Sequence, residues 1–317
     1  DSCGHHTAMP CAACYSNRLV RVESMTFRIP SREQHFKKLK QTPAISWPSV
    51  VLLLMGLSVI GIASSMTLTA NIPLWVAMLA NGIGMYLLFS IMHESLHRNV
   101  SSNLPVNELL GRISLALLIP AAPIEIARWA HFQHHRFTSS EQDPDNFIHD
   151  APLWQIPLRW PNFDLYYLYS FLRYGGEKRK THARSLILSA GVFVGVIATL
   201  TYLGYGMEVL FLWIVPSRIG LSLVALVFVF LPHYPSNTTA EQNEYQATTI
   251  RLGFEWLLTP LFVYQNYHLI HHLYPTVPFY NYINVWNLRY DELTAQNPAI
   301  QQDFELMPIN YESNSGA

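Results

Sequence analysis

Four apolar stretches, each close to the length of a membrane-crossing helix, constrain this chain more than any other feature. They are "WPSVVLLLMGLSVIGIASSMTLTA" (47–70), "IPLWVAMLANGIGMYLLFSIM" (72–92), "ARSLILSAGVFVGVIATLTYLG" (183–204) and "VLFLWIVPSRIGLSLVALVFVFL" (209–231). A helix needs about 20 apolar residues to span the hydrocarbon core of a bilayer. Only Asn71 and its neighbours separate the first two stretches, and "YGME" separates the second two. The pattern predicts an all-α integral membrane protein with four transmembrane helices in two hairpins. A shorter run, 109–127, is interrupted by Pro120 and Pro123 and reads as an interfacial or re-entrant segment. Pro216 is expected to kink the fourth span.

Composition agrees. Charged residues make up 13% of the chain, against about 25% in soluble domains. Twenty basic and 21 acidic residues leave no basic excess of the kind nucleic acid attracts. Four spans place the N-terminal segment, the middle segment and the C-terminus on one side. Seven Lys/Arg fall in 1–46, nine in 93–182 and two in 232–317, with none in the hairpin turns. By the positive-inside rule the charged side is cytoplasmic, which suits a multi-pass protein of a bacterial inner membrane.

Three regions follow: a cytoplasmic N-terminal segment (1–46), a membrane domain (47–290) whose cytoplasmic helical cap carries the histidines described next, and a polar, Asn/Gln-rich tail (291–317) expected to be loosely ordered. Residues 1–24 have no apolar period and read as a non-native leader, with Met25 as the natural start. Cys3, Cys11 and Cys14 lie there, either as a small metal knuckle with His5 and His6 or without a role. No other cysteine exists, so a disulfide framework is excluded.

Fourteen histidines are present, eight of them in three clusters: "HESLH" (His93, His97), "HFQHH" (His131, His134, His135) and "HLIHH" (His268, His271, His272). Offsets of 0, 3 and 4 place imidazoles on one helical face. At this histidine content one H-x-x-H-H is expected about 0.03 times by chance, and the chain has two. Each cluster abuts an apolar stretch on the same predicted side, so a bundle of four spans can bring them together. Eight imidazoles exceed the three protein ligands of a catalytic zinc and suit two metal ions. Imidazole binds iron, zinc and copper alike, so ligand type does not choose the metal. His233, at the end of the fourth stretch, is a ninth candidate. His149 and His182 stand alone and read as surface residues.

The order H-x-x-x-H, H-x-x-H-H, H-x-x-H-H around two membrane hairpins resembles the membrane fatty acid desaturase/hydroxylase superfamily over residues 45–290. Within it, "HFQHHRFTSSEQDPDNF", "APLW", "FLPHYP" and "QNYHLIHHLYPTVPFYNY" are similar to the subgroup of bacterial fatty acid desaturases and cyanobacterial-type β-carotene ring hydroxylases. The resemblance implies a non-haem di-iron centre that activates O2. It makes iron ligands of His93, His97, His131, His134, His135, His268, His271 and His272, with His233 where the family often supplies one further His. Asp143 and Asp145 match an acidic D-P-D pattern and are expected either to orient imidazoles or to form a turn around Pro144. Asn266 and Gln265 are expected to bond the site or the backbone.

Three classes of function are open to such a chain. The first is an O2-dependent oxidoreductase of lipid metabolism, a fatty acyl desaturase or hydroxylase, with β-carotene ring hydroxylation as the alternative. The second is a membrane zinc protease using HESLH with Glu94 as base, which leaves both H-x-x-H-H boxes unexplained. The third is a metal carrier or haem protein, which wants ligands near the midplane of the spans, where these contain none. The first class needs a substrate entering from the bilayer, with Trp129, Trp154, Trp160 and 165–174 as rim candidates or interfacial anchors. It also needs a separate electron donor, a ferredoxin or cytochrome b5-type protein with its reductase, since the chain carries neither signature. Arg184 lies just inside the third stretch on the charged side; Arg218, inside the fourth, is either a contact for a substrate carboxylate or headgroup or a snorkelling side chain.

Overall fold

The computed structural model describes residues 31–311, so the three cysteines lie outside the described residues. Among those described, four helices are long and apolar enough to cross a membrane: Trp47–Leu68, Leu74–Leu96, Glu177–Tyr202 and Gly206–His233. The Ser46 Oγ accepts the Ser49 N–H at 3.4 Å to start the first, with Pro48 in its opening turn. A turn through Ala70, at φ 58°, and Pro73 leads into the second.

The second span is the axis of the bundle. It packs along the first, the fourth and the helix Leu104–Leu118. Small residues permit the approach: a Cβ on Gly56 or Gly84 would lie 2.9 Å from the carbonyl oxygen of the other. The third span has no fully buried residue and lies at the edge of the bundle, touching it through Leu186 and Phe193.

Prolines shape the fourth span. π-helical segments Val209–Ile214 and Ala225–Phe230 end just ahead of Pro216 and Pro232. A proline lacks the N–H and pushes on the carbonyl four residues back; a widened turn relieves the clash. The carbonyl so freed by Pro216, that of Leu212, accepts Asn81 Nδ2–H at 2.9 Å from the second span. Backbone at lipid depth thereby keeps a partner.

The run 109–127 divides at its prolines into Leu104–Leu118 and Ile124–Phe137, two helices joined by a bend over 119–123. Gly111 lets the first lie against the end of the second span, since a Cβ there would fall 2.0 Å from Ser95 Oγ. The second carries the H-F-Q-H-H box.

The C-terminal region departs from expectation. Strand β1 (Thr249–Leu252) pairs in parallel with strand β2 (Ala299–Gln302), in register Thr249 to Ala299. Arg251 donates to Gln301 Oε1 at 2.7 Å and to the carbonyls of Asp303 and Glu305. Ala299 and Gln301 are fully buried. Residues 291–311 are therefore part of the fold and not a loose tail: buried partners contributed by Arg251 and β1 satisfy the polar groups that made the segment look solvated.

Candidate metal centre

Each box stands where a helix ends. His93 lies in the last turn of the second span and His97 caps it. His131, His134 and His135 share one face of Ile124–Phe137. His233 closes the fourth span, and the third box forms the short helix His268–Leu273. These ends converge. Candidate ligand nitrogens of His93, His97, His131 and His271 lie within 4.8 Å of one another, and so do those of His134, His233, His268 and His272. His135 joins the first group, its Nε2 being 3.1 Å from that of His131 and 2.9 Å from that of His271.

The spacing fits a shared ion. Nitrogens bound at about 2.1 Å to one metal at right angles stand about 3.0 Å apart. Observed Nε2–Nε2 separations are 2.6 Å for His97–His131, 3.0 Å for His233–His268, 3.1 Å for His268–His272 and 3.2 Å for His134–His272. Protons cannot satisfy so many inward nitrogens, because a neutral imidazole has one N–H and several rings spend it outward. His271 Nδ1–H donates to Tyr282 Oη at 2.9 Å, His268 Nδ1–H to Gln265 Oε1 at 2.6 Å, and His272 Nδ1–H to Thr138 Oγ1 at 3.4 Å. Their Nε2 lone pairs then face one another, an arrangement a cation stabilises.

Electrostatics point the same way. Burial, reinforced by neighbouring imidazoles, pushes His97, His131, His135, His268, His271 and His272 well below the usual histidine range. They are neutral, as ligands must be. His134 differs. Burial alone would lower it, but the Asp143 and Asp145 carboxylates raise it to about 9. Its Nδ1–H donates to Asp143 Oδ1 at 3.0 Å, with Asp145 Oδ2 at 3.2 Å. Asp143 is fixed in turn by the N–H groups of Ser139 and Asp145, and Tyr167 donates its hydroxyl to Asp145. The D-P-D stretch thus both forms the turn and orients an imidazole.

Other expectations need correction. Asn266 makes no hydrogen bond to an imidazole; its Nδ2–H donates to Thr259 Oγ1 at 3.1 Å, and the adjacent Gln265 holds His268. His149 is not a surface residue. Its ring lies 5.3 Å from that of His233, and burial lowers it to about 4. Arg218 offers no free cation: it donates to both Asp164 oxygens at 2.8 and 3.0 Å and to Pro161 O. Its neighbour was unforeseeable, because Asp164 is 54 residues away in sequence. Trp129 is buried against Phe171 while Trp154 is 73% exposed. Tyr282 and Thr138 were not singled out by the sequence, since tyrosines and threonines abound here and carry no spacing signal; Tyr167, expected within 165–174 as a rim or anchor residue, instead bonds Asp145. Glu94 is 1% exposed and accepts the Phe279 N–H at 3.1 Å. It is no open-water base, which with the engagement of all three boxes removes the protease reading.

A cavity of about 560 Å³ opens onto His97, His135 and His272, with Arg98, Arg128 and Arg136 at its rim. Arg128 is paired with Glu108 at 2.6 Å; among the described residues Arg98 and Arg136 have no carboxylate within salt-bridge distance.

Comparison with known proteins agrees with the geometry. The chain is 30% identical over 198 residues to a beta-carotene ketolase of Paracoccus sp. (strain N81106 / MBIC 01143), covering 61% of this chain and 71% of that one. It is 29% identical over 199 residues to the beta-carotene ketolase of Paracoccus sp. (strain PC1), with the same coverage. A dihydrorhizobitoxine desaturase of Bradyrhizobium elkanii is 27% identical over 226 residues, 61% of each chain. The family pattern described as fatty acid desaturase matches residues 70–304, which takes in the second, third and fourth spans and all nine converging histidines, and the chain belongs to that family.

Proposed function

We propose that this membrane oxidoreductase of desaturase/hydroxylase type uses two non-haem irons and O2 to desaturate or hydroxylate a fatty acyl chain. The observation that carries the reading is the convergence of nine imidazoles into two adjacent groups. His93, His97, His131, His135 and His271 would hold one iron, and His134, His233, His268 and His272 the other. Iron held there supplies the oxidant that breaks an unactivated C–H bond, which no acid or base side chain provides. The protein's own groups do the rest. Asp143, Gln265, Tyr282 and Thr138 fix ring tautomers by taking the outer N–H, and burial keeps His97, His131, His135, His268, His271 and His272 neutral.

Desaturation converts –CH2–CH2–, O2, two electrons and two protons into –CH=CH– and two waters; hydroxylation needs the same two electrons. A separate one-electron carrier, a ferredoxin or cytochrome b5-type protein, delivers them. The arginine-rimmed opening above His97, His135 and His272 supports its approach, because positive rims steer acidic partners. The substrate is a lipid entering from the bilayer, and the site faces the cytoplasm of a bacterial inner membrane.

A second reading, oxidation of a carotenoid ring, is favoured by the likeness to two β-carotene ketolases and by the engagement of Arg218 with Asp164, which leaves it unavailable to an acyl carboxylate. Metal analysis of the purified protein, with product analysis in a host making both lipids, tests both. Two irons per chain and altered acyl chains are expected. One zinc without iron would refute the reading, and oxidised carotenoid with unchanged acyl chains would reverse the substrate order.

A further inference from the structure

We infer that Glu94 is the positioning residue for His93, its free carboxylate oxygen taking the Nδ1–H of that imidazole when the inner nitrogen engages metal. The inference rests on the di-iron reading and deepens it. Across the site, an oxygen partner recurs at the outer nitrogen: Asp143 for His134, Gln265 for His268, Tyr282 for His271, Thr138 for His272. His93 Nδ1 is buried and has no hydrogen-bond partner among the described residues, and Glu94 Oε1 is in the same condition. These two atoms lie 3.7 Å apart, their side chains 3% and 2% exposed. The gap is about 0.7 Å more than a good N–H···O bond, within reach of a small side-chain turn.

Glu94 is already half-anchored. Its other oxygen accepts the Phe279 N–H at 3.1 Å, across 185 residues of sequence. Three residues on, Tyr282 takes the outer N–H of His271, and the His93 and His271 rings are 4.5 Å apart. The segment 279–282 therefore braces both rings, one through Glu94 and one directly. Two donors, the Phe279 N–H and the His93 N–H, demand two acceptor oxygens. A carboxylate has them; an amide has only one. This assigns the glutamate of HESLH a task that neither glutamine nor a free base performs.

The test uses the full chain, iron-loaded in detergent, as wild type, Glu94→Gln and Glu94→Asp. Iron retention is titrated against a competing chelator, and Mössbauer spectra are recorded for each. Glu94→Gln is expected to keep measurable iron but release it at 10- to 100-fold lower chelator concentration, with one iron signal shifted and the other unchanged. Glu94→Asp keeps both oxygens on a shorter stem and is expected to fall between. If Glu94→Gln folds and shows wild-type retention and spectrum, or if Glu94→Asp folds and retains iron no better than Glu94→Gln, the inference is overturned. A lowered melting temperature with unchanged iron affinity in the folded fraction overturns it too, since Glu94 would then only clamp the Phe279 backbone. Wild-type protein lacking iron would instead defeat the di-iron reading, a distinct result.

Discussion

Arg218 and Asp164 form a two-pronged ion pair, 2.8 and 3.0 Å, between the fourth span and the helix Phe163–Tyr174. Asp164 is almost wholly buried, its side chain 6% exposed, while that of Arg218 is 28% exposed. Removing one member of such a pair strands a charge and costs about 3–5 kcal/mol, whereas replacing both with apolar groups is often neutral. Arg218→Met is therefore expected to lower the thermal midpoint in detergent sharply, and Arg218→Met with Asp164→Leu to restore most of it. Equal melting of the single and double variants would contradict a structural role for the pair.

The imidazoles set an acid limit for metal-free protein. Six rings outside the spans are held well below their unfolded value of about 6.5. The unfolded chain binds the additional protons, so stability falls as pH drops below 6.5. His134 acts oppositely. Raised to about 9, it contributes stability fully present below 6.5 and lost as pH rises through 9. Asp143→Asn is expected to flatten the alkaline limb of a stability–pH curve and leave the acid limb in place. Denaturation of iron-free protein at pH 5 to 9.5 measures both.

The proposed docking of an acidic electron donor at the cavity rim is testable through the rim's charge. With reduced acidic ferredoxin, the anaerobic reduction rate of iron-loaded protein is expected to fall as salt rises. Arg98→Glu and Arg136→Glu should each slow it about tenfold at low salt, with dithionite reduction unchanged. Stopped-flow rates insensitive to both charge and salt would place the donor elsewhere.

Truncation after residue 298 removes β2. Because β1 packs on the third-box helix, the shortened chain is expected to insert into membranes yet bind little iron. Iron per chain after solubilisation checks this; full iron content would show the strand pair to be dispensable.

Much of this protein is legible in its sequence because the relevant signals are local. Apolar length defines the four spans, and the 3–4 spacing of His131, His134 and His135 defines a helical face whatever surrounds it. The prolines at 120 and 123 divide a run that composition alone left ambiguous. What supports those rings is not local. Asp143 is nine residues from His134 and shared a visible D-P-D pattern, so its role could be anticipated. Gln265 and Asn266 adjoin one another, and only the course of the backbone decided that the first meets His268 and the second Thr259.

Tertiary structure alone decided the remainder. Polar residues in the C-terminal segment look solvated until Arg251 and β1 meet them. His149 looks isolated until the turn at 143–146 swings it toward His233, and Arg218 looks free until Asp164 arrives from 54 positions away. A buried polar group must find a partner, but sequence gives only its demand. The identity of the partner is set by which helix ends the packed bundle brings together, as Glu94 and Phe279 show across 185 residues.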